Sequence, residues 1–224
     1  MVNVEYLRRY HKDIKIIDNI KEVKESKITE EWKFIFYQKD MEIRKELIIK
    51  EWEKNLKYEL SRTIEYLKNN IKSINLIFYR NCYAILYEVV TEDGDRDYYE
   101  GGNPLDTNNH KLLNGMPTKL KLFYTQLHNG FFYYPSRMMG ISQISEVTIF
   151  SQDEWGIIDE LEKPLGININ STYGFFKSGM GGYLAIDYEN CEHDNATLWF
   201  TNKKPRYNVN FWDMVDEWIL MSFE

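Results

Sequence analysis

The segment MPTKLKLFYTQLHNGFF, Met116 to Phe132, changes from a helical to an extended pattern within a few residues. Pro117 suits the start of a helix, where its missing N–H leaves no acceptor waiting. Leu120, Phe123, Tyr124 and Leu127 follow at spacings of three and four, which makes one apolar stripe on an amphipathic helix. Asn129-Gly130 reads as the stop, since Gly tolerates the left-handed conformation that closes a helix. The aromatics Phe131, Phe132, Tyr133 and Tyr134 come next, and they predict that the chain turns straight into a packed sheet.

Downstream, Glu146–Phe150 reads as a strand and Asp153–Lys163 as an acidic loop or short helix around Trp155. Tyr173–Lys177, Gly182–Tyr188 and Ala196–Thr201 alternate well enough to be antiparallel strands, the last of them ended by Pro205. Asn208 or Asn210 can cap a final helix with Asp213 in its first turn, burying Phe211, Met214, Val215, Trp218 and Ile219. Upstream, Leu7, Tyr10, Ile14 and Ile17 suggest a short helix within residues 3–27, and the aromatic run Trp32–Tyr37 an edge strand. Ile48, Trp52, Leu56, Leu60, Ile64, Leu67 and Ile71 predict one long helix from Met41 to about Ile71. Ile74–Tyr79 and Cys82–Val90 read as a hairpin around Arg80-Asn81. The polar stretch 96–114 reads as a connector, dividing the chain into residues 1–110 and 111–224; equally, the hairpin adds strands to one continuous sheet. The expected class is α+β: an antiparallel or mixed sheet flanked by helices, extended at the N-terminus by a helix and a β-hairpin.

The order of short motifs in residues 111–224 resembles the SUKH superfamily. The Met116-Pro117 opening with its amphipathic helix and Asn129-Gly130 is similar to that family's first motif. Gly140–Ser145 (GISQIS) resembles its helix-and-strand connection, and Ser178–Tyr188 (SGMGGYLAIDY) its central strand pair. Ala196–Phe200 (ATLWF) resembles a last strand before a terminal helix with aromatic anchors. The superfamily includes yeast cell-wall-synthesis regulators and bacterial immunity proteins of polymorphic toxin systems. The resemblance therefore implies a binding protein without catalysis or cofactor.

Composition bounds the rest. The chain has 224 residues, 43% hydrophobic and 16% aromatic, so it can bury a substantial core. No segment approaches the roughly 20 apolar residues of a membrane helix, and Met1–Lys15 has no apolar core of signal-peptide length. A cytoplasmic protein is expected, with Cys82 and Cys191 as ordinary reduced core residues. Net charge is −7 and falls mostly on the second half, which has 9 Lys/Arg against 14 Asp/Glu. Within residues 138–202 ten acids face only Lys163 and Lys177. Phosphate binding needs the opposite sign, so direct nucleic-acid binding is not expected.

Chemistry is hard to assemble. His11, His110, His128 and His193 sit in no metal-binding pattern, and His128 reads as a structural residue beside the helix terminus, where a His interacts favourably with the dipole. Cys191-x-His193-Asp194 lacks a second ligand pair and lies in an expected turn. Ser178–Gly182 leads into a strand without a following Lys, which fits a β-turn better than a phosphate loop. No catalytic, metal or cofactor site is expected. The expectation is instead an immunity protein, an antitoxin that binds a cognate and basic (nuclease-type) toxin through an acidic, aromatic-studded face. Asp153, Glu154, Trp155, Asp159, Glu160, Glu162, Asp187, Glu189 and Asp194 are its candidate partner-binding residues. The alternative is a regulatory or scaffold protein akin to the yeast members. The oligomeric state and the role of residues 1–110 stay open.

Overall fold

The computed structural model describes residues 2–223. Short pieces open the chain: α1 (Val4–Arg8), capped by the Asn3 side chain, and then β1 (Lys15–Ile16). Only those five residues of the helix expected within 3–27 are α-helical. Trp32–Tyr37, expected as an edge strand, lies in α2 (Glu30–Tyr37). Thr29 accepts a hydrogen bond from the Trp32 N–H at 3.3 Å, and Glu30 and Glu31 favour the helix N-terminus. Trp32, Ile35 and Phe36 then fall on one buried side.

The long helix expected from Met41 to Ile71 is two helices, α3 (Met41–Leu56) and α4 (Ser61–Asn70). The apolar stripe survives the break, with Ile48, Trp52, Leu56, Leu60, Ile64 and Leu67 all buried. What starts α4 is a side chain far along the chain. Asp216 accepts from the backbone N–H of Arg62 at 3.2 Å and of Thr63 at 2.8 Å, so a carboxylate in the last helix caps a helix that has no local cap.

Next come β2 (Ile71–Tyr79) and β3 (Cys82–Val90), paired in register across Tyr79↔Cys82. Arg80 and Asn81 both take positive φ, 51° and 62°, as a two-residue primed turn requires. The expected connector begins with β4 (Arg96–Gly102), which pairs with β3 on one side and β5 (Phe131–Tyr133) on the other. Its two glycines are steric requirements. A Cβ on Gly101 would sit 2.5 Å from the His128 ring, and one on Gly102 would sit 2.3 Å from the Asn129 carbonyl oxygen. The hairpin thus adds strands to the same sheet that holds the C-terminal strands.

Thr118–Leu122 forms α5, continued by a π-helical turn over Phe123–Leu127; Leu120, Phe123, Tyr124 and Leu127 are buried as expected. Asn129-Gly130 does not close this helix, because His128 is already extended. Gly130 (φ 84°) instead lets the chain pass against residues 142–143, 2.6 Å from where its Cβ would lie. The sheet continues through β6 (Met138–Ile141), β8 (Thr172–Lys177), β9 (Gly182–Asp187), β10 (Asn195–Phe200) and β11 (Lys203–Asn210), with β7 (Thr148–Ile149) paired to β8. The strand expected over Glu146–Phe150 shrinks to β7. Pro205 lies inside the edge strand β11 and does not end β10, as an unpaired edge permits. Asn210 caps α6 (Phe211–Met221), as expected, through the Asp213 N–H at 3.0 Å.

All the strand pairings are antiparallel, and with the helices they make an α+β fold. Alternation along the strands sends side chains to two faces. Helices α2 to α6 cover one face in a single large core that includes Leu76, Ile85, Tyr99, Leu184 and Ile186. The other face has two separate covers. Residues 2–16 lie over Ile77, Ala84, Leu86, Tyr98 and Tyr134, while residues 150–169 lie over Ala185 and Trp199.

Candidate functional site

The acidic segment is the second of those covers. From Phe150 to Glu160 the chain runs through two 3₁₀ turns, with Ser151 to Glu154 and Asp159-Glu160 exposed. Trp155, Ile157 and Phe150 point inward. Trp155 is 8% exposed, donates its indole N–H to the Phe150 carbonyl at 2.9 Å, and meets the Phe150, Trp199 and Tyr183 rings with centroids 4.6–5.4 Å apart. That placement corrects the expectation of a surface aromatic anchor. Trp155 is the wedge that fastens the loop, because an indole against three further rings gains more from burial than from water.

Asp153, Glu154, Asp159, Glu160 and Glu162 remain on the exposed side. Glu162 faces Lys204 at 3.5 Å; among the described residues no ion pair engages the other four. These five carboxylates are all exposed, within ten residues of one another along a segment anchored by the buried Trp155.

The remaining candidates do not join them. Asp187 is 6% exposed and ties a turn together, accepting from the Asn168 N–H (2.7 Å), the Ser171 hydroxyl (2.6 Å), the Asn190 amide (2.7 Å) and the Glu189 N–H (3.1 Å). Burial pushes its carboxyl up, but these donors outweigh burial and hold it below the usual range. Both of its oxygens are engaged by these internal donors. Glu189 is exposed and accepts from the Asn168 amide at 2.6 Å. Asp194 sits in a left-handed turn (φ 59°) beside Glu59 and Lys119 of the helical layer, away from the loop. Burial, reinforced by Glu59, raises its carboxyl.

Two polar clusters escaped sequence reading. The first lies under the N-terminal cover. Glu100, 1% exposed in β4, accepts from the Tyr79 hydroxyl and from the Gln143 amide at 3.2 Å. Arg137 stacks over Phe132 at 4.6 Å, donates to the Tyr79 hydroxyl at 2.6 Å, and grips both Glu146 oxygens at 3.0 Å. Its guanidinium lies 3.6 Å from Glu100. Burial drives the Glu100 carboxyl up, against the pull of Arg137 and Tyr79. Tyr87 centres the second cluster, within the helical core. It receives the Trp52 indole N–H at 3.1 Å and meets His128 Nε2 at 2.7 Å. The Tyr87 hydroxyl and His128 Nε2 thus share a buried hydrogen bond whose direction is set by the imidazole tautomer. His128 is fully buried, and burial lowers its pKa to about 3. It ends the helical turn as a neutral core residue, so its role is structural through packing and the Tyr87 hydrogen bond. Buried polar triads of this kind betray themselves in sequence only as isolated polar letters among apolar ones.

Ser178–Gly182 is a turn, as expected: the Ser178 hydroxyl accepts from the N–H groups of Met180 and Gly182, and Gly179 and Gly181 take positive φ. Cys191 contacts the Asn195 carbonyl at 3.5 Å, and Cys82, expected in the core, is exposed at the start of β3. Among the described residues no three His, Cys, Asp or Glu side chains group closely enough to hold a metal ion. Nor, among them, is any helix long and apolar enough to cross a membrane. Compared with known families, with curated proteins and with solved structures, the chain matches none.

Proposed function

We propose that this protein is a cytoplasmic immunity protein that binds a basic, nuclease-type toxin domain and blocks it without transforming a substrate. The observation that supports the reading is that Asp153, Glu154, Asp159 and Glu160 are all exposed, on a segment anchored by the buried Trp155. A nuclease must be positive where it meets phosphate, so exposed carboxylates are attracted to that surface and compete for it. The order of motifs that resembles SUKH immunity proteins supports the same reading. Asp187 and Trp155 leave the proposed contact surface and become its scaffold.

The test is the triple reversal Glu154→Lys, Asp159→Lys and Glu160→Lys, in co-expression and binding assays with the terminal domain of a toxin encoded beside this gene. Wild type should restore growth and co-purify with the toxin. The reversed protein should associate at least about tenfold more slowly at low salt, with the gap narrowing as salt screens the charges. Equal protection and equal association rates at low ionic strength would remove the acidic loop from the interface.

A further inference from the structure

Residues 2–17 are attached to the sheet by surprisingly few bonds for a segment that buries Leu7 and Ile14 almost completely. The ladder is two residues long, Lys15 opposite Phe78 and Ile16 opposite Ile77, extended by the Ile17 N–H to the Leu76 carbonyl at 2.8 Å. Asp13 accepts from the Arg80 N–H at 3.1 Å, Tyr134 donates to the Leu7 carbonyl at 3.3 Å, and the Asn3 N–H reaches the Tyr98 hydroxyl at 3.5 Å. Between these fastenings sits His11. Its ring packs on Tyr79 with centroids 4.5 Å apart and meets Tyr134 edge-on at 5.4 Å. Tyr79 is the same residue whose hydroxyl links Glu100 to Arg137.

The charges around His11 come from every element packed there. Asp13 lies on its own segment, Arg80 in the β2–β3 turn, Arg137 before β6, and Glu146 in the 3₁₀ turn after β6. The two carboxylates already have partners. Asp13 is held by the Arg80 backbone, and Glu146 by Arg137, with Arg80 3.9 Å away. Asp13 and Glu146 favour a proton on His11, but burial and the Arg80 and Arg137 guanidinium groups oppose it and prevail.

We propose that residues 2–17 form an acid-released strap, in which protonation of His11 loosens the segment from the aromatic face made by Tyr79, Tyr98 and Tyr134. Partial burial, then Arg80 and Arg137, hold His11 below its ordinary value of 6.5, consistent with a strap that binds the neutral ring. The sign follows from linkage. The closed strap has the lower pKa, so opening is unaffected above 6.5 and grows by up to about tenfold per pH unit below it, until the lowered value is reached. Release would uncover an aromatic face with the Glu100–Arg137 pair at its centre, while the helical face stays folded.

Amide hydrogen exchange on the full-length protein tests this at about pH 7.5 and about pH 5.0, after correction for intrinsic exchange rates. The readout is exchange at His11, Ile14 and Ile17, whose N–H groups are bonded in the closed strap, relative to β3 amides that report global unfolding. Wild type should show strap exchange rising several-fold over β3 at the lower pH. His11→Phe, which keeps an aromatic ring on Tyr79 but cannot titrate, should show no such rise. His11→Gln should also lose the pH response, and if it opens the strap at both pH values the Phe variant decides. A wild-type strap that tracks β3 at both pH values overturns the proposal. So does a His11→Phe strap that opens in acid as wild type does.

Discussion

Acidification should weaken this protein through His128 in particular, and the size of the effect follows from its burial. The ring is fully enclosed among Trp32, Trp52, Tyr87 and Phe131, and its pKa falls from 6.5 to about 3. A depressed histidine is neutral in the folded state, whereas the unfolded chain takes up a proton below 6.5. Its contribution to stability is therefore intact above pH 6.5 and is lost as pH falls, at about 1.4 kcal/mol per unit, until about pH 3. By pH 5 the loss is about 2 kcal/mol, and by pH 3 about 4 kcal/mol, a large share of the whole stability of a small domain. Carboxyls raised by burial, such as Glu100, Asp97 and Asp106, work in the opposite direction, so the wild-type curve alone does not isolate the histidine.

The difference between wild type and His128→Gln does isolate it, because the carboxyls are common to both. Glutamine retains a hydrogen-bonding group for the Tyr87 hydroxyl but has no proton to gain. Urea unfolding at fixed ionic strength should show the stability gap between the two proteins moving by about 2 kcal/mol in favour of the variant between pH 7.5 and pH 5. Gaps that stay constant through that range would refute the buried neutral histidine. So would a His128 resonance in the folded protein that titrates near pH 6.

Other substitutions probe the same architecture. Tyr87→Phe strands the Trp52 indole N–H and His128 Nε2 inside the core, and should cost about 2 to 4 kcal/mol by denaturant unfolding. Arg137→Met leaves Glu100 buried without its cation. It should cost about 3 kcal/mol or more near neutral pH, and adding Glu100→Gln should recover part of that loss. Asp216→Ala uncaps α4 from a distance and should cost about 1 to 3 kcal/mol, with faster amide exchange at Arg62 and Thr63.

Sequence pattern was enough to place the β2–β3 hairpin, the inner stripe of α5, the strands β8 to β10 and the capped final helix. In each of these the local period and the tertiary environment agree. Where they diverge, pattern reading fails for a physical reason. WKFIFY is too short to separate a period of two from one of 3.6, and only the preceding Thr29-Glu30-Glu31 favours the helix. The cap that α4 receives after the break comes from Asp216, more than 150 positions away, so no local window contains it. Strand β4 carries Glu100 and two glycines, a composition that reads as a loop. It is tolerated because Tyr79, Gln143 and Arg137 supply partners from other strands and turns, and because His128 and Asn129 leave no room for a Cβ.

The candidate surface divides the same way. Charge sign and exposure of Asp153 to Glu162 follow from composition, because ionised carboxylates stay in water unless partners are provided. The direction of Trp155 does not follow, since it depends on whether Phe150 and Trp199 leave a slot beneath the loop. Its burial alters the physics of the proposed interface. A surface tryptophan would supply contact energy to a partner, whereas a buried one fixes the loop before the partner arrives. Less conformational entropy is then lost when the carboxylates are engaged. An interface of this kind would depend on exposed charge carried by an anchored segment, with Trp155 acting through the loop it anchors.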